Sequence, residues 1–307
     1  MTPRQRLTAA LRHEPTDRTP FCLWMHSTVH ERTVERFTRY TLEFYRRYEP
    51  DFIKVMYDEA YDMPVNHQFV GEPGVWKLLE EYDPHIGAFG RQLEVLQRVR
   101  GEADPEVPVI QTLYSPFHVA RRLAGRRILE DWKTDPEAVR FGLNTIAANY
   151  RRFAERCLSE AGIDGFFFAP QGCEASWMSP EQYRAMVMPS DLAVLEVLRR
   201  APVLILHIHG ERDVFFDLLA GYPCDAISWE DRLAGPSIAE ARRRTGRCLM
   251  GGIDHYAARS CTPAQILSQA RDAAAQAGGR GFILAPGCTF FNDTPEANLQ
   301  ALRAAVC

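Results

Sequence analysis

Lysine is nearly missing from this 307-residue chain: Lys54, Lys77 and Lys133 are the only three, and every other basic side chain of that kind is arginine. Lysine chemistry therefore has few places to occur. No two of the eight cysteines (Cys22, Cys157, Cys173, Cys224, Cys248, Cys261, Cys288, Cys307) have Cys-x-x-Cys spacing, and they form no disulfide framework. The start of the chain has no apolar signal core, so the thiols read as those of a cytoplasmic protein in a reducing compartment. Aliphatic runs such as 203–206 are far too short to span a bilayer. Low-complexity tracts and short-period repeats are absent. The net charge of −4 is too small to mark a nucleic-acid or membrane surface.

What remains is ordinary globular composition, 46% hydrophobic and 25% charged, which argues against disorder, collagen and coiled coil. A chain of this length buries about three quarters of its unfolded surface and needs no disulfides. Short apolar runs alternate with amphipathic segments almost throughout. The pattern predicts strands over 19–25, 51–57, 107–114, 165–169, 203–209, 225–230, 248–253 and 281–286. Helices are predicted over 29–47, 117–130, 136–160, 180–198, 214–220, 237–244, 263–277 and 294–305, several opening on Ser-Pro or Thr-Pro. Apolar strands alternating with helices are parallel strands buried on both faces. Eight of them predict an α/β fold, a (β/α)8 TIM barrel forming one domain over 1–307; a doubly wound sheet is the alternative. Residues 65–106 fit neither unit and read as an excursion after the second strand.

A barrel carries its chemistry at the carboxyl ends of its strands. There, His207-x-His209 places two imidazoles on one face of a strand, a good chelate for a borderline metal. Isolated histidines of this kind also serve backbone carbonyls. Glu230 and Cys288, at other strand ends, add carboxylate and thiolate donors and favour a metal on His207, His209, Glu230 and Cys288. Asp58, at the second strand's mouth, is the expected catalytic acid or anchor, with Glu59 beside it; carboxylates also neutralise helix starts. Tyr114 and His255 are expected to orient substrate or move protons. Lys54, inside an apolar strand, is expected to pair with a carboxylate, with imine chemistry as the alternative. Cys173 and Cys224 read as packed thiols. Trp24, Met25, His26, Trp177 and Met178 lie near strand mouths. Asp83-Pro84-His85 superficially matches a corrinoid-ligating pattern, but Gly87 comes one residue early and no corrinoid-binding module surrounds it.

These stretches resemble the uroporphyrinogen decarboxylase-like superfamily, and within it the zinc-dependent methylcobamide:coenzyme M methyltransferases. Arg6-Leu7 through Asp17-Arg18-Thr19-Pro20 resembles the family's opening, and residues 51–58 its second strand ending in aspartate. Ser179-Pro180 resembles the helix start after strand four, and Leu206-His207-Ile208-His209-Gly210 the methyltransferase His-x-Cys-Gly. Ala285-Pro286-Gly287-Cys288 with Asp293-Thr294-Pro295 is the most specific match, to the methyltransferase ending. The resemblance implies a metal on His207 and Cys288, with His209 standing where a cysteine is expected. Glu230 is similar to the zinc-ligating glutamate of cobalamin-independent methionine synthases. Replacing a thiolate by an imidazole makes the metal with its ligands neutral overall instead of anionic. The metal is then more Lewis-acidic and a bound thiolate a poorer nucleophile.

The implied function is metal-dependent methyl or alkyl transfer to a small thiol or similar acceptor. The metal the resemblance implies is zinc, with Fe2+ or another divalent ion as the alternative. A separate corrinoid protein is the candidate methyl donor, and a homodimer is compatible with the family. Uroporphyrinogen decarboxylase itself matches poorly, because residues 23–28 lack the arginines that meet its substrate's carboxylates. Three alternatives stay open: a metal-independent decarboxylase or lyase using Asp58, a corrinoid-protein docking barrel, and a metal-dependent natural-product enzyme.

Overall fold

The computed structural model describes residues 1–29, 33–64 and 67–306. Seven parallel strands lie in chain order around one sheet: β1 (Ile53–Val55), β2 (Val109–Tyr114), β3 (Gly165–Ala169), β4 (Val203–Ile208), β5 (Ala226–Trp229), β6 (Cys248–Ile253) and β7 (Phe282–Pro286). Helix or 3-10 helix fills every crossover. The strands are buried on both faces, which is why they read as unbroken apolar runs.

The segment predicted as the first strand, 19–25, is not a regular strand. It makes two isolated bridges, Phe21 with Leu284 and Met25 with Phe290. Cys22 N donates to Leu284 O at 3.0 Å, and Asp51 N donates to Phe21 O at 2.9 Å. The segment thus fills the gap between β7 and β1 as an eighth stave. Pro20 brings no N–H to the ladder, one reason the pairing is sparse. Asp51, fully buried, holds this closure. Arg6 Nη1 donates to it at 2.5 Å, Arg18 Nη1 at 2.8 Å and Phe21 N at 2.8 Å.

Val65 and Asn66 lie outside the described residues, and residues 67–106 of that segment depart from expectation. They hold the crossover helix Gly87–Glu102, which buries Phe89, Gln92, Leu93, Leu96 and Val99. This helix has no side-chain cap, and its two early glycines weaken the helical signal. Gly90 is required sterically: a Cβ there would lie 2.1 Å from the His85 carbonyl oxygen. The helix predicted over 29–47 runs from Val34 to Tyr48 and is capped by Thr33, with 30–32 outside the described residues. The 117–130 prediction breaks at Gly125 (φ 61) into Pro116–Ala124 and Arg127–Thr134. The 180–198 prediction breaks into Pro180–Met186 and Met188–Leu198, with Pro189 in the first turn of the second helix. The 214–220 prediction shrinks to Phe216–Leu219.

One buried acid behind the sheet has a pH consequence. Asp191 Oδ2 accepts from Tyr183 Oη at 2.8 Å and Tyr222 Oη at 3.0 Å, while Oδ1 has no partner. Burial raises its pKa from 3.8 to about 7, against the pull of the two hydroxyls. The folded protein therefore holds this proton more tightly than the unfolded chain does. Stability from this group is full below the ordinary value and is lost as pH rises through 7. Asp191→Asn is expected to flatten that decline, read as urea midpoints at pH 5 and pH 8. An unchanged pH slope in the variant would contradict the assignment.

Candidate metal centre and cavity

The strands end around a cavity of about 830 Å³ lined by residues from six of the eight staves, including Trp24, His26, Asp58, Tyr114, His207, His209 and Cys288. Of the aromatic and methionine residues expected at strand mouths, Met25, Trp177 and Met178 lie outside this lining. Trp177 instead sits beneath the guanidinium groups of Arg121 and Arg126.

His207 lies on β4 and His209 just beyond its end. His207 Nδ1 is 3.1 Å from Ser228 Oγ on β5, and its ring stacks on Phe167 of β3 at 5.2 Å. Those contacts fix the ring and leave Nε2 for another partner. His209 Nδ1 is 3.7 Å from Cys288 Sγ and 3.4 Å from Glu230 Oε1. Glu230 Oε2 is in turn 3.9 Å from His255 Nε2. Among the described residues the donor atoms form two overlapping triads. His207, His209 and Cys288 have donors within 4.8 Å of one another, as do Glu230, His255 and Cys288. His255, expected as a loop proton carrier, therefore stands in the donor cluster and is absent from the cavity wall.

Local chemistry produces this convergence. Gly287 brings the β7 mouth close to β5: a Cβ there would lie 3.0 Å from Glu230 Cα. Gly287 N donates to Ile253 O at 2.9 Å, locking the β7 and β6 ends together just before Cys288. Asp231 Oδ1 accepts from Gly252 N at 2.9 Å, and the bare Gly251 permits the approach, since a Cβ there would lie 2.6 Å from that oxygen.

The electrostatics suit a cation. Burial pushes His207 well below its ordinary pKa, His209 down to about 4 and His255 also down, so all three rings are neutral near pH 7. Burial lifts Glu230 to about 7; burial, then Glu230, lift Cys288 to about 11. Glu230 Oε2 and His255 Nδ1 are buried without a hydrogen-bond partner. Orphaned buried acceptors cost free energy, and a divalent ion would meet them.

Asp58 lies past β1, nearly buried, with Oδ1 2.6 Å from His26 Nδ1 and Oδ2 accepting from Ser27 N at 3.1 Å. No helix starts there, so it does not serve as a helix-start charge. Tyr114 ends β2 and stacks on His118 at 4.2 Å. His118 was missed in the sequence. It lines the cavity, burial lowers its pKa to about 3, and its Nδ1 has no partner. Its signal was its place in the first turn of the helix that leaves β2.

Lys54 makes no close ion pair with a carboxylate among the described residues, against expectation: burial lowers its pKa to about 7, and Cys22, Cys288 and Asp58 pull it back up only in part. Its Nζ donates to Thr112 Oγ1 at 2.9 Å and lies over Phe167 and Trp24, 4.2 and 4.9 Å from the ring centres. Cys173 and Cys224 are buried, and burial raises both thiols. Asp83 and His85 form a surface cluster with Glu160, away from the cavity. No described helix is long and apolar enough to cross a membrane.

The uroporphyrinogen decarboxylase (URO-D) family model matches residues 2–307. The methylcobamide:CoM methyltransferase MtaA of Methanosarcina barkeri is 28% identical over 218 residues, spanning 69% of this chain and 62% of that protein. The methylcobamide:CoM methyltransferase MtbA of Methanosarcina acetivorans is 21% identical over 334 aligned residues, 98% of this chain and 96% of that protein. A solved methyltransferase structure from Methanosarcina mazei superposes with a TM-score of 0.82 at 20% identity, covering 99% of this chain and 98% of that one. At that identity the superposition speaks for the fold.

Proposed function

Because the chain belongs to the uroporphyrinogen decarboxylase family, and its relatives include methylcobamide:CoM methyltransferases, we propose that it is a metal-dependent methyltransferase acting on a small thiol or similar soft acceptor. The metal, zinc with Fe2+ or another divalent ion as the alternative, would be held by His207, His209, Glu230 and Cys288. The observation that carries this reading is the gathering of neutral imidazoles, a thiol and an unsatisfied carboxylate oxygen at neighbouring strand ends.

Bound there, a divalent ion supplies Lewis acidity that lowers the pKa of an acceptor thiol toward neutrality. The protein's own groups do the rest. Ser228 and Phe167 hold the His207 ring, and Gly287 lets Cys288 reach Glu230. His255, beside Glu230, takes up and passes on the thiol proton. Asp58, oriented by His26 and Ser27, and Tyr114 position the acceptor from the opposite wall. The acceptor sulfur then forms its bond to the methyl group as the donor's bond breaks, and the electron pair stays with the donor. A methylated corrinoid on a separate protein is the donor class that accepts such a pair, in keeping with the relatives' names.

Elemental analysis of freshly purified protein is the test. About one divalent ion per chain, with activity lost to a chelator and restored by metal, is expected. A metal-free protein that is active and indifferent to chelators ends the proposal. The His26–Asp58 pair favours one second reading, a metal-independent decarboxylase or lyase. In that case His207→Ala keeps activity and Asp58→Asn loses it.

A further inference from the structure

The donors of the candidate metal centre face two ways. His207, His209 and Cys288 line the cavity, whereas Glu230 and His255 are buried behind that wall. The Glu230 carboxylate spans the two sides. Its Oε1 is 3.4 Å from His209 Nδ1, and its Oε2 is 3.9 Å from His255 Nε2. The second spacing is too long for a hydrogen bond, and Glu230 Oε2 has no hydrogen-bond partner. Two donors on one tetrahedral ion, each about 2.0–2.3 Å from it, lie about 3.3–3.8 Å apart. The carboxylate oxygen and the imidazole are held near that spacing, with the Cys288 sulfur within 4.8 Å of the donor atoms of both. They are placed for an ion between them and not for each other.

Aromatic side chains close this side of the centre. The His255 ring lies 4.5 Å from Tyr256 and parallel to Phe291 at 6.0 Å, measured between ring centres. Tyr256 Oη donates to Glu211 Oε1 at 2.5 Å, and Arg259 sits over Phe291 while pairing with Asp293. The loops after β4, β6 and β7 are thereby tied together around His255. We propose that Glu230, His255 and Cys288 form a second binding position for the divalent ion, walled off from the cavity. The proposal rests on the metal-dependent reading and adds His255 to the ligands. A divalent ion with one carboxylate, one thiolate and one imidazole is neutral overall, so it can stay in a site removed from water. Cys288 belongs to both positions, and one ion occupies them in turn. On the covered side His255 is a ligand. Its nitrogen is free to take a proton only when the ion lies on the cavity side.

Chelator-stripped protein loaded with Co2+ tests this, because the visible absorption of Co2+ reports its ligands and its release to EDTA can be timed. About one Co2+ per chain is expected in the unaltered protein. His255→Phe keeps a ring against Phe291. It should still bind Co2+ through the cavity-side donors, with a changed spectrum and release at least about tenfold faster. His207→Phe keeps a ring on Phe167 and should hold Co2+ on the covered side, with release as slow as in the unaltered protein. An unchanged Tm is confirmed for both, and His255→Gln replaces His255→Phe should the latter fail to fold. An unchanged spectrum and release rate in the His255 variant would overturn the proposal. So would loss of Co2+ from His207→Phe, since the ion would then have only the cavity position, and so would two Co2+ per chain. No Co2+ binding by the unaltered protein would instead defeat the metal-dependent reading itself.

Discussion

Cys288→Ser is expected to leave the purified protein with almost none of its metal and to lower methyl transfer by at least about a hundredfold. Changing even an outer partner of a metal ligand commonly costs 10- to 100-fold, and Cys288 is the one residue common to both donor triads. Serine keeps the shape but exchanges a soft, ionisable sulfur for a hydroxyl that does not ionise near neutral pH. His209→Ala should act similarly, because His209 contacts both Cys288 and Glu230. His209→Cys should instead keep the metal, since thiolate and imidazole both suit a borderline ion. It makes the site more anionic, so a bound acceptor thiolate should become the stronger nucleophile. Elemental analysis and single-turnover methyl transfer on the same preparations check all three variants. Full metal content in Cys288→Ser would show that the sulfur is a packing group.

The second large effect is expected at Asp51, far from the cavity. Asp51→Ala should destabilise the fold by about 3–5 kcal/mol, as for other buried charge pairs broken from one side. It strands Nη1 of the buried Arg6 guanidinium, whose other nitrogens stay on Asp17, along with part of Arg18 and the Phe21 N–H. Asp51→Asn should cost less, because its oxygen still accepts from Phe21 N. Urea unfolding gives both numbers. A loss under about 1 kcal/mol for alanine would mean that apolar packing closes the barrel without this acid.

The two predictions separate what is local in this protein from what is not. The strands Gly165–Ala169 and Cys248–Ile253 and the helix Pro263–Ala277 have the same bounds in sequence and structure. Each rests on signals carried by adjacent residues: apolar runs bounded by aspartate or proline, and a Thr-Pro capping box. The Gly87–Glu102 helix escaped because its start is held by Asp62, 26 residues upstream, whose Oδ2 accepts from Ala88 N at 2.7 Å. The eighth stave was expected as a strand and is a sparse bridge, since its pairing depends on β7, some 260 residues away.

The site divides the same way. Residue types at strand ends, above all His207-x-His209 and Gly287-Cys288, follow from alternation and from the family's motifs, which are written in the chain. The position of His255 among the donors, the Thr112 and ring contacts of Lys54 and the His118 ring on Tyr114 do not. Strand register determines which side chains of different staves meet, and burial determines which of them lose water and keep or lose a charge. Composition and periodicity were therefore enough for a barrel with metal-capable ends. Only the closed sheet decides which atoms come within bonding reach, because those distances depend on register and backbone approach between segments that are remote in sequence.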